Sequence, residues 1–172
     1  MGASDLFLSH NVARATGRPF MDVSDLLLTP QSVIADLKVA SKAEALAVLA
    51  ERAAGLTGLE AVTIYHALVE RERLGTTGVG HGVAIPHARM PALDRMRVVF
   101  ARLAQPINFE AVDEQPVDLL FLVLSSERAG ADHLKALARI SRLLHDAALC
   151  RKLRGTDTVD GLCGLLIEHL TH

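Results

Sequence analysis

The stretch Gly75-Thr-Thr-Gly-Val-Gly-His-Gly-Val-Ala-Ile-Pro-His87 decides how the rest of this chain is read. Glycine at 75, 78, 80 and 82 excludes a helix interior. It marks backbone that takes positive φ or comes close to another group, and exposed amides in such a segment can form an anion-holding nest. The segment runs straight into an apolar stretch, Val83-Ala-Ile, that ends in Pro86-His87. Proline removes one ladder donor, so His87 is expected at a strand end or bulge, with a ring nitrogen presented to a ligand. Taken alone, this loop reads more plainly as a tight turn followed by a surface histidine.

Working outward, the residues before the loop read as a helix from about Glu60 to Leu74, with Ile64, Tyr65 and Leu68 inward and Gly75 as its stop. Its last turn holds Glu70-Arg71-Glu72-Arg73, where Arg71 offers a planar cationic fork suited to phosphate oxygens. A solvated charge cluster closing the helix is the plainer reading. Farther upstream, Val33 to Val39 alternates like a short strand. Ser41-Lys-Ala-Glu44 has the form of a capping box, opening a helix that buries Leu46, Leu49, Ala50 and Ala53 and ends at Gly55.

Downstream, Met96–Leu103 and Pro116–Ser125 read as strands, and the near-continuous apolar character of the second makes it central in a covered sheet. Helices follow over about 131–145, 147–154 and 157–170, the last with Asp157 as cap. On the first of these, His133, Leu137, Ile140 and Leu144 share one face. His133 is therefore either a core histidine satisfied by a carbonyl or a group held at a helix N-terminus, where an anion is favoured. Strands interleaved with helices imply a layered α/β domain.

The chain has 172 residues, half of them apolar, and a formal net charge of −2. That balance suits one globular domain and gives no basic field for nucleic acid. No apolar run is long enough to span a membrane, and no secretory signal opens the sequence. Leu6 stands where a myristoylation motif requires Ser or Thr. Cys150 and Cys163 lack ligand spacing and read as buried thiols of a reduced, cytoplasmic protein. Residues 1–20 have no sustained period and are expected to be an extension of unassigned role ahead of a domain over 21–172.

The stretch Arg71-Glu-Arg-Leu-Gly-Thr-Thr-Gly-Val-Gly-His-Gly-Val-Ala-Ile-Pro-His87 is joined, in order, by Pro116-Val-Asp-Leu-Leu-Phe-Leu-Val-Leu124 and Asp132-His-Leu-Lys-Ala-Leu137. With Asp25-Leu-Leu27, Ser41-Lys-Ala-Glu-Ala-Leu46 and Cys150-Arg-Lys-Leu-Arg154, these segments resemble the enzyme IIA proteins of the bacterial phosphoenolpyruvate-dependent phosphotransferase system. The matching branch holds the mannitol and fructose IIA domains and the nitrogen-regulatory IIA protein, and the resemblance covers about residues 22–170. It implies a single α/β (α+β) domain with a mixed sheet flanked by helices on both faces. It further implies that His87 accepts a phosphoryl group, that His133 steadies the phosphohistidine, and that Arg71 faces the phosphoryl oxygens. Loop amides of Thr77, Gly78, Val79 and Gly80 would complete the ring of donors, with no metal and no cofactor.

The implied donor is an HPr-like phosphocarrier protein docking over His87 on an apolar rim. The nitrogen-regulatory branch fits best. Its implied output is regulation of target proteins such as a sensor kinase or potassium-transport components, without nucleic acid or membrane insertion. The alternative within the family is a fructose- or mannitol-type IIA component that passes phosphate to a IIB partner. One departure is His81, where the family often has Asn or another residue; a solvent-facing position is expected for it. Outside the family, a metal-dependent hydrolase would need His81, His87 and His133 as ligands, at spacings without the usual regularity. A module that keeps the fold and the binding, with its transfer chemistry idle, is the other rival.

Overall fold

The computed structural model describes Leu26 and residues 28–172; the expected N-terminal extension and the pattern opening at Met21 lie outside them. In chain order come β1 (Val33–Leu37), α1 (Lys42–Thr57), α2 (Ala61–Arg73), β2 (Gly78–Gly80), β3 (Val83–Ala84) and β4 (His87–Met90). They are followed by β5 (Arg97–Ile107), β6 (Val117–Ser126), α3 (Ala131–His145), α4 (Ala147–Arg154) and α5 (Val159–Thr171). The sheet order is β1-β5-β6-β3-β2, with β4 also paired to β6. β1 runs parallel to β5, and β3 and β4 run parallel to β6, whereas β5–β6 and β2–β3 are antiparallel. The sheet is therefore mixed.

Strand β6 is covered on both faces, which is why its sequence is apolar nearly throughout. Leu120, Leu122 and Leu124 pack with Leu46, Leu49, Ile64 and Leu68 of α1 and α2. Leu119, Phe121 and Val123, on the alternate positions, pack with Ile140, Leu144, Leu153, Leu162 and Leu166 of α3 to α5. The central strand and the two helical layers agree with the sequence reading.

Beside β6, strands β3 and β4 behave as one strand with a break. Val83, Ala84 and His87 face Leu119, Leu120 and Val123, so the register does not slip across Ile85-Pro86. Pro86 has no amide, but its carbonyl accepts from the Val123 amide at 2.9 Å, while the Ile85 amide turns to the Thr77 carbonyl at 2.9 Å. His87 thus restarts the strand, as expected from its proline.

The glycines before it meet two close neighbours. A Cβ on Gly78 would sit 2.8 Å from Cα and Cβ of Ala111. Gly82 has φ +79°, and Arg154 lies against it, donating from Nη2 to the His81 carbonyl at 2.9 Å and from Nε to Asp118 at 2.8 Å. The end of α4 is thereby tied to the glycine segment and to the start of β6.

Several details differ from the sequence reading; strand β5, for one, runs past the expected Leu103 to Ile107. Helix α1 passes through Gly55 and stops at Gly58, which has φ 77° and donates its amide to Ala54. Only Gly58 takes the left-handed conformation that closes a helix. The cap of α5 is Thr158, whose hydroxyl accepts from the Gly161 amide at 3.1 Å, rather than Asp157. At α1 the Ser41 hydroxyl accepts from the Glu44 amide, but the Glu44 carboxylate reaches back to Ala40, one residue earlier than a capping box requires. Cys150 and Cys163 are buried free thiols. Among the described residues no helix is long and apolar enough to cross a membrane.

Two glycine substitutions should move stability in opposite directions. Gly78→Ala drives a methyl into Ala111 and should cost about 1–3 kcal/mol. Gly164→Ala, in α5 with open space around its Cα, should add about 0.5–1 kcal/mol. Urea unfolding of both variants against the parent protein checks the pair.

Candidate active site at His87

The imidazole of His87 is held from both sides. Its Nδ1 lies 2.8 Å from the Ile85 carbonyl, which can only accept, so Nδ1 carries the proton. Nε2 is then the bare nitrogen, and Arg71 donates to it from Nε at 3.1 Å. The same guanidinium donates from Nη1 to the Gly75 carbonyl at 2.9 Å, which fixes the fork between the end of α2 and the start of the glycine segment. His133, buried in the first turn of α3, has its ring centroid 5.5 Å from that of His87. Its Nδ1 pairs with the hydroxyl of Ser125 on β6. The expected residues His87, His133 and Arg71 therefore come together from β4, α3 and α2.

Both histidines are biased toward the neutral state. Burial pushes the His87 pKa down, and the Arg71 cation pushes the same way; the Ile85 hydrogen bond and the Glu72 carboxylate oppose them. For His133, burial is the main cause, reinforced by His87 and Arg89, and its pKa falls to about 4. A neutral imidazole with a bare Nε2 is a competent nucleophile at pH 7.

The glycine segment departs from expectation. The Thr77 amide donates to both Glu72 carboxylate oxygens at 3.2 Å, and the Thr77 hydroxyl bonds the same carboxylate. Lys42 pairs with that carboxylate at 2.6 Å. The Gly78 amide donates to the Thr76 hydroxyl at 3.1 Å. Amides of Thr77 and Gly78 are thus engaged within the protein rather than left open for an anion. Glu72 and Thr76 supply the acceptors that claim them, and Gly78, Val79 and Gly80 form the short strand β2. Val79 is exposed, and Gly80 lies against Asp113.

His81 does not join the site. Its amide donates to Asp113 at 2.9 Å and its ring stacks edge-on with His145, 5.9 Å away, whereas His87 has His133 as its ring neighbour. Among the described residues no three His, Cys, Asp or Glu side chains are grouped as a metal ion requires.

The pattern that defines the phosphoenolpyruvate-dependent sugar phosphotransferase system EIIA 2 family matches residues 26–169. The chain belongs to that family. It is 50% identical to a nitrogen regulatory protein of Bradyrhizobium diazoefficiens over 146 residues, covering 85% of this chain and 95% of that one. A nitrogen regulatory protein of Klebsiella oxytoca is 38% identical over 130 residues, 74% of this chain and 80% of that one. Among solved structures, nitrogen regulatory protein IIA-Ntr from Neisseria meningitidis superposes with a TM-score of 0.80 at 27% identity, covering 84% of this chain and 99% of that one.

Three residues that the structure places around His87 and His133 were not read from the sequence as part of the candidate site. Arg89 is two residues past His87 on β4, so strand periodicity alone places the two on one face. Glu72 adjoins Arg71, and its ion pair with Lys42 depends on how α1 meets α2. Ser125, fully buried, ends a run of apolar residues and stands opposite Arg89 in the β4–β6 register. The first polar residue after the apolar run of a central strand was its only signal.

Two titrations test these electrostatics. Arg71→Gln removes a cation that lowers the His87 pKa, so NMR titration of the His87 ring should show a higher pKa in the variant. For His133 the folded pKa of about 4 lies below its ordinary 6.5. The unfolded chain therefore binds the extra proton first, and stability falls as pH drops from about 6.5 toward 4. Denaturant unfolding at pH 7 and pH 5 should show a smaller acid loss in His133→Gln than in the parent protein.

Proposed function

We propose that this chain is a phosphoryl carrier that accepts the group on Nε2 of His87 from an HPr-like phosphohistidine protein. Its phosphorylation state then regulates target proteins. The observation that carries the reading is the Ile85 carbonyl on Nδ1, which leaves Nε2 as the nucleophile beneath Arg71 and beside His133. In the transfer, the N–P bond of the donor breaks and the donor imidazole keeps its electron pair. The lone pair of His87 Nε2 forms the new N–P bond while Nδ1 keeps its proton. Such transfers pass through a loose in-line transition state, so the protein's task is to position groups and stabilise charge. Arg71 must release Nε2 as the donor arrives, and its guanidinium is then free to pair with the phosphoryl oxygens. The scheme uses no metal and no cofactor.

Exposed Leu74 just past Arg71, Val79 on β2, and Leu134 beside His133 supply the apolar rim that a docking carrier needs. Phosphorylation adds about −1.5 to −2 charges at the centre of that rim. That change is enough to make binding of a second protein depend on the phosphoryl group. The regulatory output is supported by likeness to proteins named nitrogen regulatory protein, in one case along 95% of its length. Targets of the sensor-kinase or potassium-transport kind fit this output.

Intact mass after incubation with phosphoenolpyruvate, enzyme I and the carrier should show one acid-labile, base-stable phosphoryl adduct, absent in His87→Ala. An undiminished adduct in that variant would overturn the assignment. A pull-down from native cytoplasm, comparing parent protein with His87→Ala, tests the output: a kinase or potassium-transport component supports regulation, and a sugar-specific IIB as main partner overturns it.

A further inference from the structure

The geometry points to Ser125 as a positioning residue: its hydroxyl donates to Nδ1 of His133 and so holds His133 in the tautomer that carries its proton on Nε2. The functional consequence rests on the reading of His87 as phosphoryl acceptor; the tautomer does not.

A neutral imidazole has one N–H, and the Ser125–His133 contact alone allows either direction of donation. Burial decides between them. Ser125 is fully buried near the end of β6, and among the described residues Nδ1 of His133 is the one hydrogen-bond partner its hydroxyl has. If Nδ1 carried the proton, the hydroxyl would accept it and its own O–H would be left buried with no acceptor. If the hydroxyl donates, what stays bare is one oxygen lone pair. Native structures leave lone pairs bare more readily than they orphan a buried donor.

The other edge of the ring is not sealed. Among the described residues no buried side-chain nitrogen or oxygen lacks a partner. Nε2 of His133 makes no hydrogen bond to a described residue, so it keeps some exposure at the surface of the site. With Ser125 donating to Nδ1, this free position is an N–H donor beside the His87 ring. Reversing the tautomer would present a lone pair to an incoming phosphoryl oxygen and repel it. Ser125 therefore acts on the phosphoryl group only through His133, by setting which nitrogen donates.

The test is long-range 1H–15N correlation of the histidine rings in the full-length protein near pH 7, with His133 assigned by its loss in His133→Gln. The parent protein should show His133 protonated at Nε2, with Nδ1 as a hydrogen-bonded acceptor. Ser125→Ala should drive the two nitrogen shifts toward each other as the tautomers mix, and Ser125→Thr, which keeps the hydroxyl, should restore the parent pattern. A proton on Nδ1 in the parent protein, or an unchanged tautomer in Ser125→Ala, overturns the proposal. The parent spectrum decides this even if a variant does not fold. The lifetime of the phosphoryl adduct is the second readout: Ser125→Ala should shorten it several-fold, and adding Ser125→Ala to His133→Gln should shorten it no further. A chain that takes up no phosphoryl group under any condition would defeat the acceptor reading while leaving the tautomer result standing.

Discussion

The hydrogen bond between Nδ1 of His87 and the Ile85 carbonyl spans only two residues, yet the chemistry of the site depends on it. It exists because the strand beside β6 is interrupted without losing register. Pro86 withholds an amide while its carbonyl still holds Val123, and the break turns the Ile85 amide toward Thr77. In an unbroken strand, a histidine ring does not reach the carbonyl two residues behind it so easily. The short motif Ile-Pro-His therefore sets a tautomer as well as a turn.

Around that ring, charge is arranged to keep both histidines neutral while cations stay near. Arg71 and Arg89 each disfavour a proton on a histidine, and burial does the larger part. Glu72 is the one carboxylate that works the other way on His87, and Lys42 and Thr77 hold it. That network also joins the start of α1 to the end of α2 and to the glycine segment. The position of Arg71 thus depends on groups that never touch His87. An anion placed between Arg71 and His133 would meet a cation and an N–H donor without having to displace a proton first.

Much of this was legible in the sequence, and the failures have identifiable causes. The apolar run of β6 announced a strand covered on both faces. Helical period placed His133 inward, and Pro-His marked the restart of a strand. Gly55 and Asp157 misled because local propensity names several acceptable stops and caps, and only backbone geometry selects Gly58 and Thr158. The amides of Thr77 and Gly78 misled for a different reason. A glycine-rich segment exposes donors only if nothing inside the protein claims them, and Glu72 and Thr76 do.

What the sequence by itself determined is whatever depends on order along the chain: the period of each element, the proline before His87, and the family to which the whole pattern belongs. What the tertiary structure alone decided is whatever depends on which elements become neighbours. Packing of α3 against β6 brought His133 to Ser125, and packing of α1 against α2 brought Lys42 to Glu72. The physical reason is that a hydrogen bond acts over about 3 Å, and proximity on that scale between residues far apart in sequence exists only after the core has closed.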